Sequence, residues 1–154
     1  MKSSPKTLSS LRKIISLKSI GRHPSGQCCT FVQLTKKVGV KMFKFKYERT
    51  FSLRKQRTAH RLGFGPAVGD SFEIRMDRVN YACYFTEVAI TSDMEAIWDR
   101  PSYDKDMLGL NCLMEKNYFD TGDLHSEGNV GYICKRLVCI DFDPMSLEPR
   151  ILRR

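Results

Sequence analysis

Residues 123–142 read DLHSEGNVGYICKRLVCIDF and combine a polar loop with two apolar runs. A loop rich in Asp, Ser, Gly and Asn comes first, and such residues favour turns over regular structure. Two apolar runs follow, VGYICK and RLVCIDF, and both are typical of short strands. The basic pair Lys135-Arg136 lies at their junction. We therefore predict a polar loop followed by a hairpin that Lys135-Arg136 closes.

Upstream, alternating apolar residues and turn residues predict four more strands. They are CCTFVQL (28–34), VGVKMFKF (38–45), SFEIRM (71–76) and NYACYFTEVAI (80–90). In the second of these, the alternation places Val38, Val40, Met42 and Phe43/Phe45 in the strand. The first two strands form a hairpin around a basic turn.

Two stretches have helical periodicity. Residues 47–62 carry apolar side chains at helical spacing among Arg and Lys, and the helix stops at Gly63. Its apolar positions are Tyr47, Phe51, Ala59 and Leu62. A second helix presents one apolar face, made of Tyr103, Met107, Leu110, Met114 and Tyr118.

The composition indicates a globular, cytoplasmic protein. Of the 154 residues, 42% are hydrophobic, enough for a buried core. No window approaches the roughly 20 apolar residues of a membrane span, and the N-terminus lacks the apolar region of a secretory signal. The six cysteines form no CxxC pair, so we expect reduced thiols, most of them buried.

The net charge of +9 is unevenly distributed along the chain. Residues 1–61 hold 16 Lys/Arg and one acid, Glu48, whereas residues 62–154 hold 10 Lys/Arg and 16 Asp/Glu. A basic half points to an anionic partner, either a nucleotide, a nucleic acid or an acidic protein surface. The alternative is that the two halves attract each other across a cleft. Nucleic acid has no supporting motif in the sequence.

The order of elements, together with DLHSEGNVGY and LVCIDF, resembles the protein-kinase-like superfamily, closest to its small atypical RIO and aminoglycoside-phosphotransferase branches. The resemblance covers residues 20–143. It implies a minimal two-lobed α+β fold. A basic segment (1–19) precedes an N-lobe with an antiparallel sheet (20–90) and a reduced helical C-lobe (91–154).

The resemblance also implies a nucleotide site in the N-lobe. VGVKMF is similar to the strand that carries the phosphate-binding lysine, here Lys41. IGRHPSG is similar to the loop over the phosphates, with Gly21 and Gly26 as its glycines. The backbone between Glu87 and Ala89 would meet the adenine. The alternatives are a solvated lysine and an ordinary hairpin turn.

For the C-lobe, the resemblance makes Asp123 the catalytic aspartate that orients the attacking hydroxyl. Asn129 and Asp141 would hold Mg²⁺, for which carboxylate and amide oxygens are suitable ligands. The alternatives are a capped turn for Asp123 and Asn129 and a strand-end acid for Asp141. We expect His125 to pack within the loop.

Four departures from the family pattern concern activity. Gln56 stands where a glutamate would pair with Lys41, and Asp123 lies six residues before Asn129 instead of five. Asp143 replaces a glycine. The sequence ends 13 residues after the metal-binding aspartate, which leaves no room for a peptide-binding platform.

Two functions remain open. One is an ATP- and Mg²⁺-dependent phosphotransferase acting on protein hydroxyls, as a serine/threonine kinase does. The other is a catalytically weak or inactive kinase-like protein that binds and regulates an acidic partner. The expected partners are a nucleotide and an acidic protein substrate or target, with no membrane, and the expected location is the cytoplasm, the host cytoplasm if a phage encodes the chain. Spacings for zinc, a Cys–His nucleophile or a serine hydrolase do not occur.

Overall fold

The computed structural model describes residues 29–90, 99–122, 124–125 and 129–142. Within them the fold is α+β, as predicted, with a four-stranded antiparallel sheet, two helices and a separate two-stranded hairpin. The elements are β1 (Cys29–Gln33), β2 (Val38–Phe43), α1 (Lys46–Leu62), β3 (Val68–Met76), β4 (Val79–Glu87), α2 (Tyr103–Lys116), β5 (Val130–Ile133) and β6 (Arg136–Cys139).

The chain divides into two compact units. Of the described residues, 29–53 and 68–88 form the first unit, and 54–67 together with those between 89 and 142 form the second. Helix α1 is continuous, yet its first half belongs to the first unit and its second half to the second unit.

The sheet of the first unit has the strand order β1-β2-β4-β3, and every neighbouring pair is antiparallel. The β3–β4 hairpin turns at Asp77 and Arg78, whose φ angles are 49° and 65°. Two residues with positive φ match the twist of the flanking strands, which explains the tight connection. Strands β2 and β4 are central, and in their register Lys41 lies opposite Tyr84.

Alternation along the strands gives this sheet two different faces. One face holds an apolar cluster, made of Val32, Val40, Met42, Ile74, Cys83 and Phe85. On the other face, Phe43 and Tyr84 stack with ring centroids 5.8 Å apart and pack against Leu53 of α1. Strand β2 therefore has buried side chains on both faces of the sheet, as expected for a central strand.

Helix α1 ends as the sequence predicts. The Phe64 N–H donates to the Ala59 carbonyl at 2.9 Å and the Gly63 N–H to the His60 carbonyl at 3.0 Å. This pattern requires a left-handed residue after the helix, and Gly63 has φ 94°. The start of the helix differs from the prediction, because Phe45 and Tyr47 are exposed instead of lying in a strand and on a buried face.

Helix α2 forms the core of the second unit. Met107, Leu110 and Met114 are buried, as predicted. Tyr118 was wrongly assigned to this face, since it lies beyond the helix end with φ 63° and its side chain is 60% exposed. The Phe119 N–H donates to the Met114 carbonyl at 3.0 Å, so α2 ends in the same motif as α1, with Tyr118 in the place of glycine.

A phenylalanine follows the end of each helix and packs in the core of the second unit. Phe64 and Phe119 meet edge to face with centroids 4.9 Å apart, and Phe142 packs edge-on against Phe119 at 6.1 Å. The Cys139 N–H donates to the Phe64 carbonyl at 2.9 Å. These contacts fix the end of β6 against the end of α1.

The predicted hairpin forms, but its turn is shifted. Cys134, with φ 56°, and Lys135 make the turn, and Arg136 already begins β6. The cysteines also differ from expectation. Of the five that are described, Cys83 and Cys139 are buried, Cys29 is half-buried, and Cys112 and Cys134 are exposed, all as free thiols.

No helix in the described residues is long and apolar enough to cross a membrane.

Candidate functional site

Lys41 is a buried lysine in the middle of the sheet. It lies on β2, opposite Phe31 on one side and Tyr84 on the other, and only 6% of its surface is exposed. Burial of an ammonium group is costly, so such a lysine needs polar neighbours or a ligand. It is not one of the solvated surface lysines of this basic chain.

Tyr84 provides a hydroxyl group next to Lys41, and Ser52 provides a second hydroxyl that bonds Tyr84. The Tyr84 and Ser52 hydroxyls share a hydrogen bond of 3.0 Å, and both side chains are buried. Burial raises the pKa of Tyr84, against the lowering effects of the Lys41 charge and of hydrogen bonds with Ser52 and Lys41. Because an ammonium only donates, the Tyr84 oxygen accepts from Lys41, and either hydroxyl can be the donor in the bond between Tyr84 and Ser52.

Gln56 stands at the helix position expected to face Lys41. Its Nε2 donates to the Pro66 carbonyl at 3.3 Å, and its side chain is fully buried in the second unit. This bond ties α1 to the segment that follows the helix end. Ser52 lies one turn earlier on the same helix and belongs to the first unit, where it reaches the Lys41 cluster through Tyr84.

The proposed adenine-contacting segment follows β4. Glu87 is the last residue of β4, and its carbonyl accepts from the Thr86 hydroxyl at 3.2 Å. The Val88 N–H donates to the Lys37 carbonyl at 3.0 Å, and Ala89 is buried. The role of Glu87 and Ala89 with a nucleotide stays a prediction.

The β5–β6 hairpin places Asn129 and Asp141 at its open end. The Ile140 N–H donates to the Asn129 carbonyl at 2.9 Å and extends the ladder one step beyond Val130 and Cys139. Asp141 is the next residue and is exposed. The hairpin thus brings one carboxylate and one amide to the same end, and their oxygens fit the chemistry of Mg²⁺.

Other predicted positions lie outside the described residues, namely Gly21, Gly26, Asp123 and Asp143. Lys41 belongs to the first unit, whereas Asn129 and Asp141 belong to the second. Among the described residues, no group of three or more His, Cys, Asp or Glu side chains could hold a metal ion.

The loop before Asn129 differs from expectation at His125. Leu124 is buried in the core of the second unit, whereas His125 is exposed. Leu124, and not His125, therefore anchors this loop to the core.

Helix α1 carries a row of exposed basic side chains. Arg54, Arg57 and Arg61 are exposed and lie on one side, spaced three and four residues apart. Lys55 differs from them, because only 3% of its surface is exposed. Charge alone would have grouped Lys55 with its neighbours.

Cys83 can be excluded as a nucleophile. Burial raises the pKa of its thiol to about 12, so the thiolate is scarce at neutral pH.

No family model, curated protein or solved structure matches this chain.

Sequence reasoning missed Tyr84 and Ser52. Their types give no signal, since a tyrosine in a central strand and a serine in a helix are ordinary. The strand register brings Tyr84 to Lys41, and the packing of α1 on the sheet brings Ser52 to Tyr84.

Proposed function

We propose that the chain binds ATP with Mg²⁺ and transfers a phosphoryl group to a protein hydroxyl. Lys41 would neutralise the phosphates, Asp123 would orient the accepting hydroxyl, and Asn129 and Asp141 would hold the metal. Gly21, Gly26 and the backbone from Glu87 to Ala89 would complete the nucleotide site, in a kinase-like arrangement.

The observation that carries this proposal is the buried Lys41 on the central strand. The Tyr84 hydroxyl accepts from the Lys41 ammonium and is itself fixed by its hydrogen bond with Ser52. A fixed positive charge at a sheet face is what a phosphate-binding lysine requires, since phosphoryl transfer depends on positioning and charge stabilisation. The hairpin that brings Asn129 and Asp141 together supports the metal role.

When bound, Mg²⁺ would neutralise charge on the transferring phosphate. The residues of the chain supply the rest. Tyr84 and Ser52 limit the motion of Lys41, the Asn129–Ile140 hydrogen bond fixes the hairpin end, and Asp141 presents a carboxylate there.

The test is thermal unfolding with ATP, with and without Mg²⁺. A ligand at 100 times its Kd adds about 2.7 kcal/mol, or about 5–10 °C in Tm for a chain of this size. Lys41→Met should abolish the ATP-dependent shift. Because Lys41 is buried, its substitution will also move the unliganded Tm, so each variant is compared with its own unliganded protein.

Lys105→Met is the matched control, since Lys105 is an exposed lysine on α2. It should retain the full ATP shift. Asp141→Asn should lose only the Mg²⁺-dependent part of the shift, and Asp123→Asn should lose transfer from labelled ATP while retaining binding. Absence of an ATP shift in the unaltered protein would refute the proposal.

A second candidate function is binding of an acidic protein without catalysis. The exposed arginines of α1 favour it, because Glu48 is the only acid in that helix. Arg54→Glu combined with Arg57→Glu should abolish binding to an acidic polypeptide such as polyglutamate. Added salt should weaken the binding of polyglutamate by the unaltered protein. Binding that is insensitive to both changes would refute this candidate.

A further inference from the structure

Two exposed aromatic rings stand beside two lysines directly after β2. Residues 44–47, Lys-Phe-Lys-Tyr, form what we call the KFKY platform. Phe45 is 55% exposed and Tyr47 is 51% exposed. Their rings are nearly parallel, at 21°, with centroids 5.7 Å apart. The two rings therefore form a small stacked surface that faces solvent.

The platform makes little contribution to the core. The buried clusters among the described residues include neither Phe45 nor Tyr47, although Phe43, two residues earlier, is fully buried. Isolated exposed apolar residues are common, but a stacked pair between lysines is a more specific arrangement.

The charges around the rings are positive and accessible. Lys44 is exposed, and the Lys46 ammonium lies 2.9 Å from the Glu73 carboxylate in an ion pair whose partners are 72% and 52% exposed. Exposed pairs of this kind are weak and screened by salt. An anionic ligand can therefore compete with Glu73 for Lys46.

We propose that the KFKY platform binds single-stranded nucleic acid, with bases stacked on Phe45 and Tyr47 and phosphates beside Lys44 and Lys46. Every base offers a flat face for stacking, and single strands leave these faces accessible, whereas a duplex hides them. Rings that are already parallel can extend a stack of bases. Stacking together with basic side chains is the general mode of sequence-independent single-strand binding.

This proposal is independent of the phosphotransferase. The platform lies wholly in the first unit and uses none of the residues assigned to nucleotide or metal.

The experiment measures fluorescence anisotropy of labelled oligothymidylate and oligouridylate of about 15 nucleotides, enough for one small site. Phe45→Ala with Tyr47→Ala should weaken binding at least tenfold, the size expected for loss of one or two stacked bases. Lys44→Ala with Lys46→Ala should reduce the slope of log K against log salt by about 1.4, since each phosphate contact contributes about 0.7 for single strands.

Two control variants distinguish stacking on the platform from non-specific binding by exposed aromatic or basic side chains. Tyr118→Ala removes an exposed aromatic elsewhere and Lys105→Ala an exposed lysine, and both should bind as the unaltered protein does. Tyr47→Phe should retain binding, because the ring and not the hydroxyl provides the stack. An unchanged Tm in the platform variants shows that they fold.

Three results would overturn the proposal. They are no oligonucleotide binding at low salt, full binding by the double alanine variant of the rings, and equal or tighter binding of duplex DNA of the same length. Binding to phosphatidylserine vesicles that depends on Phe45 and Tyr47, without oligonucleotide binding, would assign the platform to a membrane surface instead.

Discussion

Tyr84→Phe tests the hydroxyl cluster that holds Lys41. The substitution retains the ring, which stacks on Phe43, and removes only the hydroxyl that bonds Ser52 at 3.0 Å and contacts Lys41. The Ser52 hydroxyl and the Lys41 ammonium, both buried, lose a partner. An unsatisfied buried polar group costs about 1–3 kcal/mol. We expect a loss of about 2 kcal/mol, or a fall of about 4–8 °C in Tm.

Ser52→Ala completes a double-mutant cycle. Removal of both hydroxyls leaves no orphaned serine, so the double variant should be more stable than the sum of the single effects, by about 1 kcal/mol. Urea unfolding followed by circular dichroism at 222 nm measures each free energy of unfolding. ATP titration of the same variants then shows whether a looser Lys41 binds phosphate more weakly.

Two results would refute the reasoning. If Tyr84→Phe changes the free energy of unfolding by less than about 0.5 kcal/mol, the hydroxyl is not a needed partner. If the two substitutions are strictly additive, the Tyr84–Ser52 hydrogen bond is not an energetic link and Lys41 is held by other contacts.

Three further predictions concern the second unit. Gly63→Ala should lower Tm by about 2–4 °C, because φ 94° costs an L-residue about 1 kcal/mol while the added methyl meets no atom within 4 Å. Gly65→Ala should cost about 1–3 kcal/mol in urea unfolding for a different reason, since its Cβ would lie 2.8 Å from that of Ala59. Burial is the main cause that raises the pKa of Tyr132, and the hydrogen bond from its hydroxyl to Asp106 at 2.6 Å raises this pKa further. Its contribution to stability is therefore complete below the ordinary tyrosine pKa of about 10 and is lost as the pH rises through the higher folded value. Tyr132→Phe should flatten the alkaline loss of Tm, and an unchanged alkaline slope would contradict this.

The sequence predicted the regular elements because their apolar periodicity is local. The hairpin of residues 130–139 and the helix of residues 46–62 follow from alternation, helical spacing and the stop at Gly63. The buried face of α2 was correct from Met107 to Met114. The prediction was wrong at Tyr118, since spacing alone does not reveal that the backbone adopts a left-handed conformation there.

The site was less predictable because it depends on register and burial. Charge does not distinguish the buried Lys55 from the exposed Arg54 and Arg57, and only its spacing of four residues from Phe51 and from Ala59 places it on the apolar side of the helix. The pairing of Lys41 with Tyr84 depends on how two strands distant in sequence align. The pairing of strands that are distant in the chain cannot be predicted from the local periodicity of the sequence.

The second unit is discontinuous in the chain, and this affects how the protein can be synthesised and divided. A fragment of residues 89–154 would lack Ala59 and Phe64, both fully buried in the core that it must form. During translation, residues 54–67 leave the ribosome before the two strands of residues 68–88 and must wait for α2 and the last hairpin. Dissection of this protein should therefore preserve residues 54–67 together with 89–142, by joining them across a short linker in place of the β3–β4 hairpin.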